Sequence, residues 1–168
     1  MMTNEDDDRL LEQYSRLQPL AGKGPHLALF YGLPVLDVEW LTDAILANAD
    51  DKARAALPAD EIPEARIALT RFETAKINLY SALPDALDGI KELTLAVCQV
   101  TPEGVDRLFG AVWPLLQSGG VICCNHYRTT RRHKRWECCY AIDAYLESLQ
   151  PHSFTWLWKD TQCGIRKT

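Results

Sequence analysis

The feature that most constrains this chain is a change of hydrophobic period, repeated through its C-terminal half. ELTLAV, residues 92–97, is an apolar run of strand length, and Val105, Leu108, Phe109, Val112 and Leu116 follow it at helical spacing. Pro102 in the intervening TPEG suits a first helical turn, where its missing N–H costs nothing. SGGVICC reads as a second strand, and WECCYAIDAYLESL as a helix with Cys139, Ile142, Leu146 and Leu149 on its inner face. FTWLWKD and CGIRK fit a closing antiparallel pair, and alternation along the first places Trp156 and Trp158 on one face as a contact surface. The N-terminal half repeats the theme. HLALFYG, 26–32, is a strand stopped by Gly32 and Pro34, and DVEWLTDAILANA carries Val38, Leu41, Ile45 and Leu46 along one helical stripe. ARIALTRF, 65–72, fits helix or strand, whereas KINLYSAL reads as a short strand ending at Pro84. Such alternation predicts an α/β fold: a mostly parallel sheet with an antiparallel C-terminal strand pair and helices on both faces. In such sheets ligands bind beyond the carboxyl ends of the strands, here residues 98–101 and 125–128.

At 168 residues the chain is about one domain. Residues 1–25 read as an acidic, partly helical lead broken by AGKGP, and residues 26–168 as the α/β domain. No apolar run approaches the roughly 20 residues that cross a bilayer. The opening MMTNEDDDRL is the reverse of the cationic start of a secretory signal, so a cytoplasmic protein is expected. A net charge of -5 gives no general attraction to nucleic acid. The local exception is RTTRRHKR, 128–135, with five cations directly after a strand tip; it reads as a solvated loop or as an anion or partner site.

The six cysteines, 98, 123, 124, 138, 139 and 163, include no CxxC pair. Cys123 and Cys124 are neighbours on a strand and face opposite ways, and Cys138 and Cys139 are neighbours on a helix. Buried, reduced thiols are the simplest expectation. A zinc set of Cys124, His126 and one helix cysteine stays open, because residues two apart on a strand share a face.

From Leu27 onward the sequence resembles the macrocin O-methyltransferase (TylF-type) group of class I S-adenosylmethionine-dependent methyltransferases. FYGLP is similar to that family's FEGLP after the second strand, EARIALTRF to the following helix, and YSALPDAL to a strand running into a Thr-Leu-Pro turn. VCQVTPEGV, VWPLL and GGVICCNHY match IDVDLYEST, YPRL and GGVIIFDDY without a gap; AIDAYL matches AVDEFL, and GIRK the closing strand. The resemblance favours a helix for ARIALTRF.

What it implies is a shortened Rossmann-like methyltransferase fold lacking the first strand and its glycine-rich cofactor turn, since only Gly22 and Gly24 precede the matched strand. The family's metal aspartates fall on Cys98, Val100, Asn125 and His126, and its ribose-binding acid falls near Ala28. The S-adenosylmethionine and magnesium sites are therefore expected to be lost. The chain then reads as a non-catalytic relative with a binding, scaffolding or regulatory role linked to a biosynthetic pathway. The alternatives are a small-molecule O-methyltransferase whose donor site is completed in trans, with His126 as candidate catalytic base, and an anion or nucleotide-binding module. Ligand or anion contacts would come from His126, Tyr127, Arg128, Arg131, Arg132 and Arg135. A missing central strand would leave open sheet edges, so a homodimer or a covering protein partner is expected.

Overall fold

The computed structural model describes residues 3–20, 23–24, 26–72 and 76–168; Gly22 lies outside them. The chain divides into two compact units, Met1–Asp88 and Gly89–Thr168. No helix among the described residues is long and apolar enough to cross a membrane.

The first unit opens on helix α1, Asn4–Tyr14, capped by Thr3 in a reciprocal box with Asp6. Its apolar residues Leu10 and Tyr14, with Leu17 beyond it, are fully buried, and the Tyr14 hydroxyl donates to Asp37 at 2.8 Å. Arg9 adds a 3.1 Å ion pair to the same carboxylate. The boundary expected after residue 25 is thus no boundary: the lead packs into the first unit.

Strand β1 is Leu27–Tyr31, helix α2 Val35–Ile45, strand β2 Lys52–Ala56, helix α3 Ile62–Ala68 and strand β3 Ile77–Tyr80. β1 pairs in parallel with β2, and β2 in parallel with β3. ARIALTRF is accordingly helical through Ala68, and Val38, Leu41, Ile45 and Leu46 are buried as their stripe requires. A short helix α4, Leu83–Leu87, closes the unit.

Strand β2 corrects the reading of a missing first strand. Three parallel strands joined by two helices in the spatial order 3-2-1 form a complete βαβαβ half, so β1 holds the place of the first strand and β2 that of the second. KARAA gave no apolar signal because its inward positions, Ala53 and Ala55, are alanines flanked by Lys52 and Arg54. The turn after β1 keeps a glycine, Gly32 at φ 69°, a conformation that residues with a Cβ rarely adopt. The first unit thus holds the strand whose expected absence was the reason for expecting a covering partner.

In the second unit, strand β4, Leu93–Cys98, pairs in parallel with β5, Leu116–Cys124. Between them, helix α5, Val105–Val112, buries Val105, Leu108, Phe109 and Val112. Helix α6, Cys139–Glu147, follows β5 and meets α5 through the Phe109 and Tyr145 rings, 5.2 Å apart. Strands β6, Phe154–Lys159, and β7, Cys163–Lys167, run antiparallel, with β7 between β5 and β6. The expected antiparallel C-terminal pair is present.

The shared tryptophan face is absent. Trp156 lies opposite Ile165 and Trp158 opposite Gly164, across a bulge in β6. Residues 164 and 165 face opposite ways, and cross-strand partners share a face, so the two tryptophans point apart. The Trp158 ring fills the space that a side chain at Gly164 would need, 2.5 Å from where a Cβ would sit. Trp156 turns instead toward the Tyr127 ring, 5.6 Å away.

Candidate functional site

The carboxyl ends of β4 and β5 bring together the residues singled out in the second unit. The ladder between the two strands continues one step past β5, where the Asn125 amide N–H donates to the Cys98 carbonyl at 2.9 Å. The Asn125 side chain is nearly sealed from water, at 2% exposure. Its Nδ2 donates to Gln99 Oε1 at 3.2 Å, and its Oδ1 accepts from Gln162 Nε2 at 2.9 Å. Gln162 is itself buried, in the turn between β6 and β7. Three amides therefore cross the strand ends as one chain. Gln99 and Gln162 were not singled out by sequence reasoning; Gln162 reaches Asn125 across 37 residues, and no local pattern carries such a pairing.

The other positions that the resemblance links to a metal do not gather as donors. Cys98 is fully buried, and Val100 offers only its carbonyl, which accepts from the Cys138 thiol at 3.2 Å. β5 ends at Cys124, and His126 adopts φ 58° in the turn beyond it. The alternation that would place His126 on the face of Cys124 has already stopped, which undoes the geometric basis of the zinc set. Among the described residues, no group of three or more His, Cys, Asp or Glu side chains is arranged to hold a metal ion. Burial, and then the nearby His133, lowers the pKa of His126, which disfavours the charged ring at this position.

Tyr127 is fully buried and donates to Asp143 at 2.6 Å. Burial first, and the Asp143 bond second, raise its pKa well above the ordinary phenol value. Its hydroxyl is committed inside the unit, and the expectation that it contacts a ligand is corrected accordingly. Arg128, Arg131, Arg132 and Arg135 are exposed.

The loop that carries these arginines is fastened at its base. The Cys138 and Cys139 amides donate to the carbonyls of His126 and Tyr127, both at 2.9 Å. Glu137, buried beneath the loop, accepts from the Thr129 amide at 2.8 Å and from Lys134 at 2.6 Å. Residues Arg131–Trp136 form two 3-10 turns separated by a kink at His133. Glu137 was hidden from sequence reasoning by the basic residues around it. Thr101, Glu103, Arg135 and Trp136 line an open hollow of about 440 Å³ beside the loop.

All six cysteines are free and buried. Cys98, Cys124 and Cys163 lie side by side on one face of adjacent strands, by their pairing register. Burial pushes Cys138 up to about 12, the bond with Cys124 and then burial hold Cys163 well above an ordinary thiol, and burial and then Glu137 raise Cys139. In the unfolded chain such thiols ionise near pH ~8.5. Above that pH the folded state holds more protons than the unfolded one. Stability is therefore complete below it and falls as pH rises, by up to about 1.4 kcal/mol per pH unit for each thiol still protonated in the fold. Urea unfolding at intervals from pH 8 to 10 is expected to show a steadily falling midpoint. A constant midpoint contradicts this assignment.

Neither any protein family nor any curated protein matches the sequence. Solved structures do. An O-methyltransferase from Bacillus cereus in complex with S-adenosylhomocysteine (SAH) is similar with a TM-score of 0.67 at 15% identity, over 99% of this chain and 93% of that one. An S-adenosylhomocysteine-bound methyltransferase from Podospora anserina gives 0.66 at 14% identity, over 100% and 80%. The O-methyltransferase TomG from Streptomyces achromogenes, involved in tomaymycin synthesis and solved with S-adenosylmethionine (SAM), gives 0.64 at 15%, over 99% and 82%. At these identities the likeness establishes the fold. The chain has the Rossmann-like fold of S-adenosylmethionine-dependent methyltransferases.

Proposed function

We propose that this chain is a non-catalytic protein on a methyltransferase fold, with a binding or regulatory role. The observation that supports it is the amide chain Gln99–Asn125–Gln162, which occupies the strand-end position where the resemblance places a metal-binding aspartate. Magnesium takes oxygen ligands in near-octahedral array, with carboxylates as its protein anchors. The four aligned positions supply a buried thiol, a valine, an engaged amide and an imidazole, a set that does not fit it. The donor fits no better. In Rossmann-like crevices an acid at the end of the second strand holds the ribose hydroxyls. Here β2 runs out into Leu57 and Pro58, with Ala56 and Leu57 buried, and the nearest acids, Asp60 and Glu61, stand beyond the strand. Calorimetric titration with S-adenosylmethionine, with and without magnesium, tests the reading: no saturable heat is expected, and micromolar binding removes it.

A specific observation favours a second reading. β1, the Gly32 turn and α2 retain the backbone of a donor crevice. If the titration shows binding, an enzyme that uses His126 as base becomes the better account, and His126→Ala would then abolish turnover while leaving donor affinity unchanged.

A further inference from the structure

We propose that the loop from Arg128 to Trp136 and the hollow beside it form a binding site for a nucleoside phosphate. This does not depend on whether the chain transfers methyl groups. In a protein of net charge -5, this nine-residue stretch carries five cations and no acid. Lys134 is neutralised by Glu137 at 2.6 Å, whereas Arg128, Arg131, Arg132 and Arg135 make no ion pair with a carboxylate among the described residues. Four like charges held on one short loop repel one another and are relieved by an anion with several oxygens, for which guanidinium is the matching donor.

The loop is held in place before any ligand arrives. Its two ends are joined by the Cys138 and Cys139 amides, and its middle is drawn down by the buried Glu137. Ordering that is already complete in the free protein does not have to be supplied on binding. The site also stands beyond the carboxyl ends of β4 and β5, where open α/β sheets bind their ligands.

The hollow narrows the ligand class. Its volume, about 440 Å³, is within the usual range of small-molecule sites. Trp136 is 37% exposed, and the Arg135 guanidinium lies 5.1 Å from its ring centroid, so an aromatic surface and a cation are presented together. Glu103 lines the same hollow and repels a ligand that is anionic throughout. It suits a neutral, hydroxylated portion, as an acid does when it accepts from ribose hydroxyls. A base against Trp136, a sugar toward Glu103 and Thr101, and phosphates toward Arg135 and the basic loop beyond it match the lining of the hollow.

Calorimetry with ADP as the probe tests the assignment. One saturable site is expected at about 20 mM salt, weakened several-fold at about 200 mM as screening increases. The double variant Arg132→Ala/Arg135→Ala, folded by circular dichroism, should weaken ADP at least tenfold. Trp136→Ala should weaken ADP about tenfold but leave pyrophosphate unchanged, because only the nucleotide stacks. Adenosine should not bind measurably. No saturable ADP binding at low salt, binding unmoved by the arginine variants, equal affinity for adenosine, or equal loss of pyrophosphate in Trp136→Ala each overturns the proposal. Binding of an RNA oligonucleotide without ADP also overturns it, and assigns the loop to a macromolecular polyanion.

Discussion

Asp51→Ala is expected to lower the free energy of unfolding by about 3–5 kcal/mol, a large part of the roughly 5–15 kcal/mol that holds a domain folded. The Asp51 carboxylate is 1% exposed and accepts from two backbone amides, His26 and Asn48, each at 2.7 Å. It thereby fastens the entry of β1 to the loop before β2, two strands that are paired from Leu27 and Lys52 onward. Replacing it with alanine leaves two N–H donors without their acceptor, the His26 amide buried and the Asn48 amide part-buried, and charge-assisted bonds are the stronger kind. Asp51→Asn keeps one acceptor oxygen and should recover part of the loss. The check is urea unfolding of the three proteins at one pH. A change below about 1 kcal/mol in Asp51→Ala would show that the pairing of β1 and β2 does not depend on this residue.

Asn125→Ala carries the second large effect, a loss of about 2–4 kcal/mol, because it removes the central member of the amide chain and leaves the buried Gln162 amide without that acceptor. The prediction separates two roles. A residue kept for ligand chemistry can be replaced with little cost to the fold, whereas one that seals the strand ends cannot. If Asn125→Ala melts with the wild type, the strand ends are open for other work, and the amide chain does not carry the weight placed on it. The Gln99→Ala variant should be milder, since Gln99 is only half-buried and water can take its place.

Much of the fold was legible in the sequence because the legible parts obey local rules. β4, α5, β5 and α6 announce themselves by apolar period, and FTWLWKD and CGIRK read as a closing antiparallel pair. β2 was not legible. Its inward side chains are alanines, which bury little area, and its other positions are lysine, arginine and a third alanine. That omission left the first unit a strand short, and with the resemblance matching FYGLP to the segment after the second strand it led to the expectation of a missing cofactor strand. The bulge in β6 was equally silent, because a strand's period continues through it in the letters while its faces change over.

The site was legible as a location and not as an arrangement. GGVICCNHY fixed the place, and the basic run fixed its charge. The partners that decide what Asn125 and Tyr127 do are Gln162 from the β6–β7 turn, Gln99 from just past β4 and Asp143 from α6. Their pairing is a property of the folded unit alone. The same holds for Glu137, an acid in a basic stretch, whose role appears only when the Thr129 amide and Lys134 close around it.

The measurement that most directly tests the account is titration of S-adenosylmethionine into the wild-type protein, once with EDTA and once with millimolar magnesium. Two traces indistinguishable from dilution are expected. A saturable one-to-one isotherm in the micromolar range, strengthened by magnesium, would contradict it.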